Sequence, residues 1–339
     1  MGADRAQPQV DDDAASRLFR IAAAYRESQI LAAVAQLRIA DRLADGPKRA
    51  DELAAEVGAD EDALRRLLRV GVALGIVGRP GPGLYAQTEL SELLRSDRPF
   101  RSSIIAITAA GHWLPWGRLT ESVRTGRPTA EPALGADIWG HFRRHPDEAR
   151  HFTELMGMIS ADIASAVVGA VDLSEANVIV DVGGSHGVLL AALLRANPQA
   201  RGVLFDLPEV VADASPDPEI ADRVDVVAGS FFEEIPGGAD VYLLKNILHD
   251  WADGDCVRIL SNCRSAMRPD GRVLAFEIVL PPDEESSEVS TLDLNMLVLL
   301  GGRERTEEEY RSLFAAAGLS LDEVLTLDSE FSVLSARPA

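Results

Sequence analysis

His249 is the side chain in this sequence best placed to move a proton. It lies in DVYLLKNILHDW (240–251), where an apolar, strand-like run, 241–244, opens onto Lys245, His249, Asp250 and Trp251. Open α/β sheets place their chemistry just past the carboxyl ends of buried strands, and imidazole is the group whose proton affinity sits nearest neutrality. Three more blocks follow in the order one such sheet would need: VIVDVGGSHG (178–187), VLFDLPEV (203–210) and GGRERT (301–306). In the first, a strand runs into glycines and then a helix, so backbone can approach a ligand closely. Nicotinamide, flavin and methyl-donor enzymes all use such a loop. Asp206 ends the next strand, where a carboxylate can accept both hydroxyls of a ribose; its plainer reading is a cap or turn former before Pro208. Together the blocks read as a cofactor-binding enzyme with a histidine base.

The elements that must hold these residues are legible after Asp172. Strand-like runs at 178–182, 203–206, 224–228, 241–244 and 272–278 alternate with helices at 188–196 and about 253–267. Buried β-branched runs separated by helices predict a doubly wound, mostly parallel sheet, closed here by an antiparallel pair at 321–327 and 331–334. Thr306 and Glu309 form a capping box, and Gly318 closes that helix. Cys256 and Cys263 share one helical face with Leu260 and Met267, which is core packing rather than a disulfide or metal pair.

Upstream, the chain is helical and alanine-rich. Leu18, Ile21, Ala22 and Tyr25, then Ile30, Leu31, Val34 and Leu37, form one long apolar stripe or two successive ones. Gly58 suits a helix end and Asp60 the cap of the next, while GRPGPG (78–83) turns between two short strands, completing a winged-helix pattern. From 102 to 160 the chain is again helical, and His141 and His145 are four apart. With no third ligand in view and Arg143 and Arg144 alongside, no metal is expected. The domains predicted are a disordered start (1–14), a winged-helix-like dimerisation domain (15–100), a helical linker and substrate wall (101–172), and a catalytic domain (173–339).

Net charge excludes some partners. At −21 overall, the chain lacks the basic footprint that nucleic acid or an anionic membrane requires. Between Asp41 and Arg98 there are nine basic and eleven acidic residues, and the would-be recognition helix begins Asp60, Glu61, Asp62, which repels phosphate. No apolar run approaches about 18 residues and the N-terminus has no leader pattern, so a cytoplasmic protein with no membrane partner is expected.

The segments VDVGGSHG, FDLPEVV, GSFFEEIPGGADVYLLKNILHDW, CRSAMRPDGRVLAFEIVLP and GGRERTEEEY resemble the class I S-adenosylmethionine-dependent O-methyltransferases of the plant caffeic-acid type and their actinomycete relatives in aromatic natural-product pathways. The resemblance spans nearly the whole chain. It implies a seven-stranded Rossmann-like sheet, a homodimer, and S-adenosylmethionine as cofactor with S-adenosylhomocysteine as product. By the same resemblance Gly183 lies against the methionine part and Asp206 holds the ribose, with Leu207 beside it. Phe231 covers adenine, Ser230 stands where many relatives have Asp, Lys245 bonds the adenine or ribose side, and Ser160 reaches the carboxylate end. His249 matches the general base, and Glu277 and Glu304 the two carboxylates that flank it. Phe152, Met156, Ile159, Asp250, Met296 and Leu299 match the wall around an aromatic acceptor.

Methyl transfer to oxygen needs an acceptor stripped of its proton and held in line with a sulfonium methyl. A phenol near pKa ~10 and a histidine near ~6.5 are mismatched by about 3.5 units. Carboxylates beside the imidazole narrow that gap. The bland alternatives are a solvated strand end for Glu277 and an ion pair with Arg303 or Arg305 for Glu304. Two other functions fit the outline: a relative drifted to hydroxylation or decarboxylation with the cofactor retained, and a cofactor-sensing DNA regulator. The joint presence of His249, Glu277 and Glu304 favours methyl transfer to a hydroxyl of an aromatic metabolite.

Overall fold

The computed structural model describes residues 12–212, 214–281 and 287–339. Contacts divide the chain between Ala109 and Ala110 into two compact units. Of the start expected to be disordered, residues 1–11 lie outside the described residues, and a helix already begins at Asp12.

In the first unit the apolar stripe resolves into two helices, Asp12–Ala23 and Tyr25–Gln36. Helices Ala50–Val57 and Glu61–Ala73 follow, the first closed by Gly58 at φ 67° and the second capped by Asp60, whose carboxylate accepts the Ala63 N–H. A small antiparallel sheet completes the wing: β1 (Lys48–Arg49), β2 (Gly78–Gly81) and β3 (Leu84–Ala86), with β3 central. β1 was not legible beforehand, because two charged residues carry no strand pattern. Val34, Ile39, Leu53, Leu68 and Tyr85 build the core, while Leu18, Phe19, Ile21 and Tyr25 stay exposed. The Pro99–Thr108 helix belongs to this unit, where Arg101 donates to the Ala35 carbonyl.

The second unit carries the large sheet. Its strands are β4 (Val178–Val182), β5 (Arg201–Asp206), β6 (Val224–Ala228), β7 (Val241–Lys245), β8 (Arg272–Leu280), the two-residue β9 (Arg305–Thr306), β10 (Leu319–Thr326) and β11 (Phe331–Pro338). Seven run in the order β10-β11-β8-β7-β4-β5-β6, with β9 beside the end of β8. β4 to β8 are mutually parallel and β11 is antiparallel to both its neighbours. The chain leaves β4 in one direction and returns to β7 in the other, so a crevice opens at their carboxyl ends. Gly183, Asp206, Ser230, Lys245 and His249 lie at or just past the carboxyl ends of β4, β5, β6 and β7.

The Asp253–Ala266 helix buries Cys256, Leu260 and Cys263 against one face of the sheet, while Met267 is only half-buried. On the other face, Ile163, Ala164 and Val167 of the Pro146–Ala170 helix pack with Leu189, Leu190 and Leu193 of the Val188–Ala196 helix. Pro146–Ala170 is long and apolar enough, by length and composition alone, to cross a membrane, and Ile163, Ala164 and Val167 are its core-facing side.

Asp240 fastens β7 to β4. Its Oδ2 accepts the N–H groups of Asn177 and Val178 at 2.8 and 2.9 Å, and its Oδ1 pairs with Arg268 at 2.8 Å. Burial opposes the charge, but these donors prevail and hold the carboxyl below the usual carboxylate range. A depressed folded-state pKa contributes stability above the unfolded-state value that is lost as pH falls through the folded one. Asp240→Asn should therefore cost about 1 kcal/mol at pH 7 in urea unfolding, with the difference from the parent shrinking toward pH 3.

Candidate active site

The site is built on turns at the ends of β4, β5, β7 and β8. Asn246 leaves β7 with φ 54°, a left-handed conformation that Asn tolerates better than most residues. The chain then swings across β8, and the Ile247 and Leu248 N–H groups both donate to Glu277 Oε1, at 3.1 and 2.8 Å. A single turn of 3₁₀-helix, Leu248–Asp250, presents the imidazole.

His249, Glu277 and Glu304 converge as expected and are all buried. His249 Nδ1 lies 2.8 Å from Glu304 Oε1 and 3.8 Å from Glu277 Oε2, while Nε2 is 3.4 Å from Asp250 Oδ1. Hydrogen bonding at Nδ1 to a carboxylate places the proton of the neutral ring there and leaves the lone pair on Nε2. Burial opposes the imidazolium most strongly, yet Glu277, Glu304 and Asp250 together outweigh it and raise the imidazole well above its ordinary value. Burial raises the Glu277 carboxyl, with His249 opposing.

Both bland alternatives fail. Glu277 is 0% exposed, not a solvated strand end. Glu304 pairs with neither neighbouring arginine: Arg303 pairs with Asp253 and Glu309, and Arg305 with Asp253.

Around the glycine loop, Gly183 has φ 71°, and a Cβ there would meet Ile247 Cδ1 at 2.6 Å and Phe231 Cε1 at 3.6 Å. Only a bare backbone fits. The two oxygens of Asp206 accept the N–H groups of Ser185 (2.8 Å) and Leu207 (2.7 Å), so it does cap the turn while keeping unused lone pairs. Burial raises its carboxyl. No salt bridge reaches Asp206 among the described residues. Ser230 Oγ accepts the Phe232 N–H, and Phe231 packs edge-on to Trp251 at 5.9 Å. Lys245 ends β7, where burial lowers its ammonium against the opposing charges of Asp181, Glu277 and Asp250. Ser160 donates its hydroxyl to the Met156 carbonyl at 2.8 Å.

The expected acceptor wall falls into two groups. Phe152 stacks on Phe142 at 4.9 Å and meets Trp139 edge-on, with His112 5.9 Å away; Met156 and Ile159 continue that helix, half-buried. Met296 and Leu299 are buried on the Ser287–Leu299 helix. The Ala110–Trp116 helix bridges the two, since His112 faces Phe152 and Trp116 Nε1 donates to Asn295 Oδ1 at 2.8 Å.

Several residues were missed. Asp181, lifted to about 7 by burial beneath the glycine loop, sits in VDVGG, where alternation is masked in a strand buried on both faces. Asp293 accepts the Glu304 N–H at 2.9 Å, and nothing in its local sequence marks that role. A third residue of metal-ligating type, not in view in the sequence, does stand near His141 and His145: Glu148, whose Oε2 lies 3.0 Å from His141 Nε2. Helix Pro146–Ala170 begins directly after His145 and brings it back.

Residues 116–320 match the family model of the O-methyltransferase domain, and residues 19–97 that of the O-methyltransferase dimerisation domain. The chain belongs to the O-methyltransferase family. This O-methyltransferase is 40% identical to the phenazine O-methyltransferase PhzM of Lysobacter antibioticus, over 95% of this chain and 96% of that one. The 8-amino-8-demethylriboflavin N,N-dimethyltransferase of Streptomyces davaonensis is 33% identical over 96% and 95%. Among solved structures, the mitomycin 7-O-methyltransferase MmcR superposes with a TM-score of 0.92 at 36% identity, covering 96% of this chain and 98% of that one. The neocarzinostatin O-methyltransferase NcsB1, solved with S-adenosylmethionine and 2-hydroxy-5-methyl naphthoic acid, gives 0.82 at 34%, covering 92% and 96%. The cofactor of this O-methyltransferase is S-adenosylmethionine.

Because the Glu277 charge helps to raise the imidazole, its removal should lower it. Glu277→Gln keeps an oxygen for the Ile247 and Leu248 N–H groups, and NMR should find His249 titrating at lower pH than in the parent.

Proposed function

We propose that the protein methylates a hydroxyl of an aromatic metabolite, with His249 as the general base toward the acceptor oxygen. The observation that carries this reading is the buried His249–Glu304 hydrogen bond beside Glu277, at the switch point of the sheet. S-adenosylmethionine supplies an electrophilic methyl on a sulfonium that departs as a neutral thioether. The protein's own work is to hold both reactants and take one proton. His249 Nε2 accepts that proton as the acceptor oxygen bonds to the methyl carbon, and the imidazolium is stabilised by the carboxylates around it before it discharges to solvent. Carboxylates that raise the imidazole narrow its gap to a phenol. Positioning contributes further, since oriented reactants gain on the order of 7 to 11 kcal/mol. An amine attacks through its lone pair and sheds its proton afterwards, so a buried base of this kind favours oxygen as acceptor.

Asp206 is assigned to the ribose and Gly183 to the methionine part, with Leu207, Ser230, Phe231 and Lys245 around the adenosine. The bare Gly183 backbone and the unused lone pairs of Asp206 support this. For Ser160 to reach a carboxylate, its hydroxyl must leave the Met156 carbonyl. Phe152, Met156, Ile159, Asp250, Met296 and Leu299 are assigned to a flat aromatic acceptor, in keeping with the aromatic stack around Phe152. The exposed Leu18, Phe19, Ile21 and Tyr25 need a cover, and a second copy of the dimerisation domain supplies one. A DNA-binding role is disfavoured by Glu61 and Asp62 in the first turn of the would-be recognition helix.

Asp206→Ala should weaken S-adenosylmethionine by about 2 kcal/mol in calorimetry; unchanged affinity rejects the ribose assignment. His249→Ala should leave cofactor affinity intact and lower turnover about 100-fold. Across a series of phenols and hydroxynaphthoates the loss should be greatest for acceptors of high pKa. A loss independent of acceptor pKa would assign proton removal to water instead.

A further inference from the structure

We propose that Arg305 is a positioning residue that locks the His249 turn in register with Glu277 and Glu304. Its guanidinium is 0% exposed. Nη1 donates to the Leu248 carbonyl at 2.8 Å and the Arg303 carbonyl at 3.3 Å, and Nη2 donates to the Trp251 carbonyl at 2.7 Å. Nε and Nη2 also reach Asp253 Oδ1 at 3.1 and 2.8 Å. The Leu248 and Trp251 carbonyls bracket His249 and Asp250, so one rigid fork holds the backbone on both sides of the imidazole.

The neighbouring residues tighten the same joint. The Arg303 N–H donates to the His249 carbonyl at 2.9 Å, and a Cβ on Gly302 would stand 2.0 Å from that oxygen. Register follows from the strands: Arg305 pairs with Val279, two residues beyond Glu277, and directly follows Glu304. The segment that delivers one carboxylate to the imidazole therefore also fixes where the imidazole sits.

Burying a guanidinium opposite a carboxylate that is itself half-exposed is a poor way to gain stability. Bracing two carbonyls with fixed geometry is a task that lysine, a point charge on a flexible stem, cannot perform. The Cys256 thiol adds only a weak donor to the Leu248 carbonyl.

This inference rests on His249 as base, and the tests separate the two. In the full-length Arg305→Lys protein, with S-adenosylmethionine and 1,4-dihydroxy-2-naphthoic acid as probes, kcat should fall about 10-fold. Cofactor affinity by calorimetry should stay within about twofold, because the glycine loop is untouched. NMR should find the His249 imidazole titrating at lower pH, as its contact with Glu304 loosens. A folded Arg305→Lys protein with parental kcat and parental His249 titration overturns the proposal. If that variant does not fold, Asp253→Asn decides, since it removes the charged anchor of the fork from a half-exposed position. It should lower kcat about 3-fold and move the titration the same way, and no change in either overturns the brace. Retention of kcat by His249→Ala would remove the base reading alone, because the titration of His249 in Arg305→Lys reports on the brace whether or not the imidazole takes the proton.

Discussion

Glu277 is the constraint on which the site depends. A fully buried carboxylate is costly unless its oxygens are met by donors, and here one oxygen takes the two N–H groups that follow Asn246 while the other faces His249. That arrangement forces the chain leaving β7 to cross the end of β8. It sets the left-handed turn at Asn246, the orientation of the 3₁₀ turn and the distance at which Glu304 can approach. Glu277, Glu304 and Asp250 are then organised around the imidazole and together raise it above its ordinary value. Among the described residues Glu277 Oε2 and Glu304 Oε2 have no hydrogen-bond partner while buried, so their interaction with His249 is chiefly one of charge, which favours the ionised form of the imidazole.

Two backbone devices keep the glycine loop and the His249 turn in one frame. At β4, Gly183 takes a left-handed φ of 71° where a Cβ would crowd Ile247 of that turn. The Gly183 and Gly184 N–H groups are tied to the Phe205 carbonyl, and Ser185 to Asp206, so the loop is pinned to β5. At β7, Asp240 joins the start of the strand that leads to His249 to the start of β4. The parallel registers of β4 with β7 and of β7 with β8 carry these anchors to the carboxyl ends. The residues proposed around the donor methyl and the acceptor oxygen are thus set largely by strand pairing, while Ser160, the aromatic wall around Phe152, and Met296 and Leu299 are carried by helices outside the sheet.

The unit formed by residues up to Ala109 solves a different problem. Its winged-helix core is complete in itself, with Val34, Leu53, Leu68 and Tyr85 buried, yet its first helix leaves Leu18, Phe19 and Ile21 mostly exposed. Surface of that kind on a chain of net charge −21 marks a docking face rather than a solvated one, since acidic residues elsewhere keep copies apart unless apolar burial outweighs them. The family match to a dimerisation domain agrees.

By itself the sequence determined what depends on near neighbours. Strand and helix alternation after Asp172, the caps at Asp60 and Thr306, and the glycine loop follow from periodicity and from local side-chain-to-backbone bonds, while His249, Glu277 and Glu304 were recognisable because their short motifs are distinctive. Tertiary structure decided what depends on residues far apart in the chain. That Glu277 is buried rather than solvated, that Arg305 pairs with Asp253 and three carbonyls rather than with Glu304, and that Glu148 returns to His141 were decided by strand register and chain reversal. Asp293 and Asp181 stayed hidden for the same reason. The partner of a buried charge is whichever group the packed fold brings within a few ångströms, and neither spacing nor periodicity along the chain encodes that distance.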